Sequence, residues 1–574
     1  MPGGFPNQTT QWASVLVETL RRKGVEYAVT CPGSRSSPLT FAFARCHGVE
    51  AIPILDERSA GFFALGLAKR SGKPVALVCT SGSAVANFFP AVVEASELGI
   101  PMIVLTTDRP PELRHCAAGQ TIDQLKFFGG YVRSSIELAV PENDLELLRY
   151  LRQTVAHQVD KALHGDPGPV QINAPFRDPL TPTEVEGFQP RLEPSELASF
   201  CSQVALQQVA PTGEWSLPDE WSQCGEGIIL VGPNAPVDEA SWLSNVGALA
   251  DALQWPLLAD GMNPIRYRAK DFPSLVSGYE FLLRSDRLRD ELKPKRVLVL
   301  GSYPTCKLLR SWLAKLDLPT LILAERSRNL DATHSRSQTV ALDLAKTAVS
   351  APTRESGAFL EAWLAADART MGLLSDRMQA ESAFFEGKLA WMLGSILPEN
   401  STLCVSNSMP PRDLEFYLPK NDRRVRVFSS RGANGIDGIL STALGVAHRQ
   451  GPAYLLIGDL ALLHDSNGAL IRNVFRGSLT LLLLNNAGGG IFEALPAARF
   501  DDVFEKHFAT DQAIDFANWA RTYGFEHRRV DSWSELAKLV PQTKPGIRIL
   551  EITTNRKRDV ETRRLWFSEI SEAL

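Results

Sequence analysis

Two short apolar runs, Ala453 to Ile457 and Leu479 to Leu484, constrain this chain more than any other feature. A run of that length without polar alternation reads as a strand buried on both faces, as in a parallel sheet covered by helices. Each run ends in polar groups. Gly458-Asp459-Leu460 follows the first, and Asn485-Asn486-Ala487-Gly488 follows the second. Open α/β sheets bind ligands at the carboxyl ends of their strands, so both groups arrive where a ligand sits. An Asp carboxylate, an Asn carbonyl and the Gly488 backbone carbonyl are hard oxygen donors. Such a set suits Mg2+, or equally Mn2+, held jointly with phosphate oxygens.

The same alternation of strand and helix runs through the chain and predicts an α/β fold. An opening helix covers about Thr9 to Lys23, with Gly24 placed for a left-handed cap. Strands are expected at Tyr27–Cys31, Ala51–Leu55, Val75–Thr80, Met102–Thr107 and Val170–Asn173, with helices at Arg58–Arg70 and Ser83–Glu97. An irregular, proline-bearing stretch from about 186 to 225 reads as a linker. A second group of strands follows at Ile228–Val231, Leu257–Ala259, Arg296–Leu300, Leu321–Ala324 and Val340–Leu344, and then a polar, helix-prone connection over 345–380. A third unit opens with a helix at Ala383–Ile396 and places strands at Leu403–Ser406, Val425–Ser429, Ala453–Ile457, Leu479–Leu484 and Ile547–Ile552. This reads as three Rossmann-like parallel-sheet domains, bounded at 1–185, 186–360 and 361–574.

Composition excludes several classes. The 574 residues carry 44% hydrophobic and 22% charged side chains with a net charge of −5, which leaves no electrostatic footprint for nucleic acid. No signal-peptide pattern opens the chain, and no run of about 18 apolar residues would span a membrane. The eight cysteines are scattered with no CxxC pair, the usage of reduced thiols in a cytoplasmic protein. No strand is followed by G-x-G-x-x-G and no G-x-x-x-x-G-K-[ST] occurs, which disfavours NAD, FAD and P-loop nucleotides.

Four arginines stand just after expected strands. They lie in Cys31-Pro32-Gly33-Ser34-Arg35-Ser36-Ser37-Pro38, Thr107-Asp108-Arg109-Pro110-Pro111, Asn407-Ser408-Met409-Pro410-Pro411-Arg412 and Ser430-Arg431-Gly432-Ala433-Asn434-Gly435-Ile436. Guanidinium groups bind carboxylates bidentately, so this placement predicts substrates with several carboxylates.

CPGSRSSP, LDER, TSGSAVAN, DRPPELR, SSRGANGIDG, GDL and LNNAGGGIF together resemble the 2-succinyl-5-enolpyruvyl-6-hydroxy-3-cyclohexene-1-carboxylate synthases, carboligases of menaquinone and phylloquinone biosynthesis within the thiamine-diphosphate superfamily. The likeness is dense in the first and third units. In the middle unit it rests on Gly301–Lys307 and Arg328–Asp331. Where the superfamily's general signature has a third glycine, this chain has Leu460, a change that relatives of the synthase tolerate. Ser83-Ala84-Val85 replaces the Gly-Pro-Gly turn of the acetolactate synthase type.

The resemblance implies thiamine diphosphate with Mg2+ or Mn2+, bound between a pyrimidine-binding first domain and a diphosphate-binding third domain. Such sites usually form between subunits, which implies a homodimer or a dimer of dimers. It implies decarboxylation of 2-oxoglutarate and conjugate addition of the succinyl carbanion to isochorismate; a simple 2-oxo acid decarboxylase is the alternative. By position, Glu57 would activate the cofactor, with Asp56 a rival, and a carboxylate favoured by the helix dipole is the plain structural reading of Glu57. Gly458, Asp459, Asn486 and Gly488 would hold diphosphate and metal, and Ile436 would support the bent cofactor. Ser408, Arg412 and Lys307 are candidates for 2-oxoglutarate. Ser34, Arg35, Arg109, Gln120 and Arg431 are candidates for isochorismate. No histidine is assigned a role; His115 and His464 are expected to be packed or solvent-facing.

Overall fold

The computed structural model describes residues 4–202, 204–205, 213–233, 237–326 and 328–574. The linker reading over 186–225 therefore falls in part (203 and 206–212) outside the described residues. Among the described residues, twenty strands form three six-stranded sheets and one two-stranded ribbon, and every strand pair is parallel. The chain divides into two compact units: Met1–Val209 with Arg431–His448 and His464–Arg476, and Ala210–Ser430 with Arg449–Leu463 and Gly477–Leu574.

The first unit is built on β1 (Tyr27–Thr30), β2 (Glu50–Pro53), β3 (Val75–Cys79), β4 (Met102–Asp108), β5 (Ser135–Glu137) and β6 (Val170–Pro175), in the order β2-β1-β3-β4-β6-β5. β3, β4 and β6 are buried along their whole length. β3 is an unbroken apolar run, whereas β4 and β6 bury polar side chains that satisfy one another, Thr106 Oγ1 donating to Asn173 Oδ1 at 2.9 Å and Gln171 Nε2 to Thr106 Oγ1 at 3.3 Å. The opening helix, Gln8–Arg22, is capped by Asn7, whose side chain accepts the Thr10 N–H at 2.8 Å. The expected helix over Ser83–Glu97 is two helices, Ser83–Asn87 and Phe89–Leu98, because Pro90 has no N–H to continue a hydrogen-bond ladder and sits in the first turn of a new helix.

Helix Glu57–Ser71 packs on Ile439–Ala447 within this unit at a glycine contact. A Cβ on Gly66 would lie 2.1 Å from the Thr442 carbonyl oxygen, and one on Gly445 would lie 2.2 Å from that of Phe63. Only hydrogen at both positions lets the backbones approach this closely.

The second unit holds β7 (Trp215–Ser216), β8 (Gly227–Val231), β9 (Leu257–Ala259), β10 (Leu275–Val276), β11 (Arg296–Leu300), β12 (Pro319–Ala324), β13 (Arg336–Ala341) and β14 (Val349–Ser350). Six of these make the sheet β10-β9-β8-β11-β12-β13, and β7 pairs β14. The last strand of that sheet lies earlier than the Val340–Leu344 expected for it. β13 is an exposed edge, so its register follows pairing with β12 rather than an apolar run. The connection over 345–380 carries a helix at Ala358–Ala380.

The same unit holds β15 (Thr402–Val405), β16 (Arg426–Ser429), β17 (Ala453–Gly458), β18 (Ser478–Asn485), β19 (Glu526–Arg529) and β20 (Gly546–Thr553), ordered β16-β15-β17-β18-β20-β19. One continuous apolar core, including Leu230, Val299, Tyr279, Leu403, Tyr417, Leu456 and Trp566, joins these two sheets. β15 pairs both β16 and β17, so the chain winds outward in two directions and leaves a crevice at the strand carboxyl ends. Among the described residues no helix is long and apolar enough to cross a membrane.

Candidate active site

The apolar runs Ala453–Ile457 and Leu479–Leu484 lie in neighbouring parallel strands, with Gly458 of β17 opposite Leu484 of β18. Asp459 starts the helix Asp459–His464, and Asn486 lies one residue beyond β18. Both side chains are buried. Asp459 Oδ2 accepts the Gly488 N–H at 2.8 Å, and Oδ1 accepts the Leu460 N–H at 2.7 Å. Burial pushes the Asp459 carboxyl up to about 6, against the pull of those two N–H groups.

Asn486 is the more telling residue. Its Nδ2 donates to Glu386 Oε1 at 2.6 Å, while its Oδ1 is buried with no hydrogen-bond partner among the described residues. A buried amide oxygen without a donor calls for one, and a cation supplies what a donor would. Gly488 has φ +129°, and a Cβ there would lie 2.3 Å from the Ala509 carbonyl oxygen, so the turn is a glycine cradle. The Gly488 carbonyl accepts one N–H, from Gly490 at 2.9 Å, and keeps a second lone pair. Carboxylate, amide oxygen and carbonyl thus fit a hard divalent cation, which would rest on Asp459, Asn486 and Gly488.

Behind Asn486 lies a buried ionic cluster that the sequence reading did not find. Glu386, in the first turn of the helix Glu386–Ile396, pairs through Oε2 with Arg563 Nη2 at 2.7 Å. Arg563 also forks onto Asp413, with Nε to Oδ1 at 3.0 Å and Nη2 to Oδ2 at 2.9 Å. The Glu386 N–H donates to Asp559 Oδ2 at 3.4 Å. Burial pushes both the Asp413 and the Asp559 carboxyls up. Partners 150 and 177 residues apart leave no local signal of this arrangement.

On the same side of the third sheet, Ser408 adopts φ +71° and ψ −122°, a conformation a serine holds only where its surroundings enforce it. Arg412 Nη1 donates to the Ser408 carbonyl. Burial lowers the Arg412 guanidinium against the pull of Asp413, and the nearby Arg310 cation adds to the lowering. Lys307 is exposed in the first turn of the helix Lys307–Leu316 that also carries Arg310. Arg310 is thus a further basic residue for this group that motif reading passed over.

In the first unit, Asp56 caps the helix Glu57–Ser71: its Oδ1 accepts the Ser59 N–H at 2.9 Å, and its Oδ2 accepts Asn467 Nδ2 at 2.8 Å. Both Asp56 oxygens are thereby engaged. Glu57 is half-buried in the first turn just after β2, and with Asp56 its charge adds to the burial that raises the Cys31 thiol.

Arg35 after β1 and Arg109 after β4 come together beside Ser81, which follows β3. Arg35 is buried; Nη1 donates to the Phe176 carbonyl at 2.8 Å, and Nε has no hydrogen-bond partner among the described residues. Burial, and next the proximity of Arg109, lower its guanidinium. Arg109 donates from Nη1 to Ser81 Oγ at 2.8 Å and from Nη2 to the Gly119 carbonyl at 3.0 Å. Gln120 Nε2 donates to the Ser81 carbonyl at 2.9 Å, and Ser81 Oγ donates back to the Gln120 carbonyl at 3.0 Å. Buried Ser81 therefore ties Arg109 to Gln120. It stands within the TSGSAVAN motif but was not singled out. Two adjacent guanidinium groups with an open donor suit an anion. Ser34 is exposed beside Gly33, where a Cβ would lie 2.3 Å from Thr80 Cβ.

The segment 431–438, also of this unit, is fixed by Glu94, which accepts the Gly432 N–H at 3.0 Å and the Ala433 N–H at 2.6 Å. Arg431 and Ile436 within it are half-buried. His115 and His464 are exposed. None of the eight cysteines is in a disulfide among the described residues.

Three family models match the chain: the N-terminal thiamine pyrophosphate binding domain over 10–127, the middle domain over 198–405 and the C-terminal thiamine pyrophosphate binding domain over 416–549. The protein named 2-succinyl-5-enolpyruvyl-6-hydroxy-3-cyclohexene-1-carboxylate synthase from Synechococcus sp. (strain JA-3-3Ab) is 47% identical, over 99% of this chain and 97% of the relative. The chain belongs to this synthase family. Synthases of the same name from Nostoc sp. (strain PCC 7120 / SAG 25.82 / UTEX 2576) and Trichormus variabilis (strain ATCC 29413 / PCC 7937) are 44% and 45% identical, each over 98% of both chains. The synthase resemblance is therefore continuous through the middle sheet, where the motifs alone were sparse.

Proposed function

We propose that the chain joins 2-oxoglutarate to isochorismate with loss of carbon dioxide, giving 2-succinyl-5-enolpyruvyl-6-hydroxy-3-cyclohexene-1-carboxylate. The observation that carries this reading is the end-to-end similarity to the synthases. The balance is one C–C bond broken as carbon dioxide leaves, one C–C bond formed to the ring alkene, and one proton returned to the ring. Thiamine diphosphate, when bound, supplies the electron sink that makes the 2-oxo acid carbon nucleophilic.

The residues have distinct tasks in this account. Asp459, Asn486 Oδ1 and the Gly488 carbonyl would hold Mg2+ or Mn2+ against the diphosphate, with Gly458 leaving open space beside them. Glu57 would share a proton with the aminopyrimidine ring, a task left to it because Asp56 is occupied as a helix cap. Ile436 would support the cofactor. Arg412, Ser408 and Lys307 would take the 2-oxoglutarate carboxylate that persists through decarboxylation. Arg35, Arg109, Ser34, Gln120 and Arg431 would take the two carboxylates of isochorismate. We assign the protein to the cytoplasm as a homodimer or dimer of dimers, on the family resemblance.

Arginine substitutions test the division of substrates. Arg109→Ala should raise the KM for isochorismate at least tenfold and leave carbon dioxide release from 2-oxoglutarate alone near the parent rate. Arg412→Ala should do the reverse. If Arg109→Ala slows decarboxylation alone as much as the two-substrate reaction, the isochorismate assignment fails.

A further inference from the structure

The buried ionic cluster behind Asn486 has no place in the chemistry above, yet it decides which end of that side chain faces the cofactor crevice. An asparagine amide carries a donor at one end and an acceptor at the other. An ionised carboxylate only accepts. Glu386 Oε1 lies 2.6 Å from Asn486, so the Asn486 atom facing it must be the amide nitrogen, and Oδ1 must point away. That oxygen is the buried one without a partner.

Glu386 is itself held. Arg563 supplies its counter-charge at 2.7 Å, and Thr554 Oγ1 donates to Oε1 at 3.4 Å. The same guanidinium grips Asp413, the neighbour of Arg412. One buried cation thus anchors the base of Asn486 and the helix Met409–Tyr417 that carries Arg412.

We propose that Glu386, braced by Arg563, is a positioning residue that orients the Asn486 amide so that its oxygen faces a divalent cation. The inference rests on the metal site proposed at Asp459, Asn486 and Gly488. Groups that fix a metal ligand's orientation typically govern affinity by about 10- to 100-fold.

Glu386→Gln provides a sharp test because it preserves shape. The Arg563 guanidinium requires an oxygen from residue 386, which turns the new NH2 toward Asn486. Asn486 must then present its oxygen to that NH2 and its own NH2 to the metal. The double variant Glu386→Gln/Asn486→Asp restores an oxygen on each side, since an aspartate accepts from the glutamine with one oxygen and offers the other to the metal.

The measurement is Mn2+ binding, read from the free-ion electron paramagnetic resonance signal, in the presence of thiamine diphosphate. Glu386→Gln should weaken binding by about 10- to 100-fold, and the double variant should recover most of that loss. Asp459→Asn serves as the control for the metal site itself. Binding by Glu386→Gln within twofold of the parent, alongside a loss in Asp459→Asn, would overturn the positioning role and leave the metal site standing. A parent protein that takes up no Mn2+ would overturn both. If Glu386→Gln fails to fold, the comparison becomes Asn486→Asp against the double variant: the single variant opposes two carboxylates and should bind Mn2+ more weakly than the double, and equal affinity would overturn the proposal.

Discussion

The Gly488 N–H donates to Asp459 Oδ2 at 2.8 Å, so the turn after β18 is tied directly to the carboxylate at the end of β17. This bond fixes two of the three proposed metal donors before any ion arrives. It also makes Gly488 a residue of double constraint, by its φ of +129° and by the Ala509 carbonyl that fills the place of a side chain.

Gly488→Ala should therefore cost roughly 2–4 kcal/mol of stability, from backbone strain and overpacking together. Gly458→Ala, with no atom within 4 Å of the added Cβ, should cost less than about 0.5 kcal/mol. Denaturant unfolding of the two variants without cofactor checks the contrast; equal losses would contradict the cradle.

Glu57 and Asp56 separate by the same logic. Glu57→Gln should lower turnover by about 10²–10⁴-fold while thiamine diphosphate affinity stays within a few-fold. Asp56→Ala should lose about 1 kcal/mol of stability through the missing cap and keep turnover within a few-fold. Steady-state rates and melting curves measured side by side decide it. Near-normal turnover in Glu57→Gln would remove the proton-sharing role from that residue.

Glu415 predicts a pH dependence of stability. It is fully buried, accepts from the Gly261 N–H at 2.7 Å and from the Tyr279 hydroxyl, and burial, with Asp260 next, pushes its carboxyl from 4.5 up to about 8. The folded state thus holds this proton more tightly than the unfolded chain does. Its contribution to stability is complete below pH 4.5 and is lost as pH rises through about 8. Glu415→Gln should therefore gain on the parent as pH rises, by roughly 1–3 kcal/mol at pH 8.5, with the gain vanishing near pH 4.5. Unfolding curves across that range test it; parallel pH profiles would contradict it.

What the sequence revealed follows from where burial was complete. β3, β4, β17 and β18 are built on apolar runs buried on both faces, and each lies within two residues of its expected place. β5, β7, β10, β14 and β19 are not among the expected strands, and β13 lies earlier than expected. β7, β10 and β14 are two residues each, too short to show a pattern, and edge strands such as Arg336–Ala341 and Glu526–Arg529 are exposed and polar, set by pairing rather than by hydrophobic pattern. The site divides in the same way. Asp459, Asn486 and Gly488 are adjacent to strong strand signals. Glu386, Arg563 and Asp413 meet only through the tertiary fold, and Ser81 acts through Arg109 and Gln120, which lie on another loop.

The central claim is the coupling of two substrates, and the direct measurement is ultraviolet loss of isochorismate with 2-oxoglutarate, thiamine diphosphate and Mg2+, each omitted in turn. The account predicts that isochorismate disappears only when all three are present, with one carbon dioxide released per isochorismate consumed. Carbon dioxide release from 2-oxoglutarate with isochorismate untouched would contradict it and leave a simple decarboxylase.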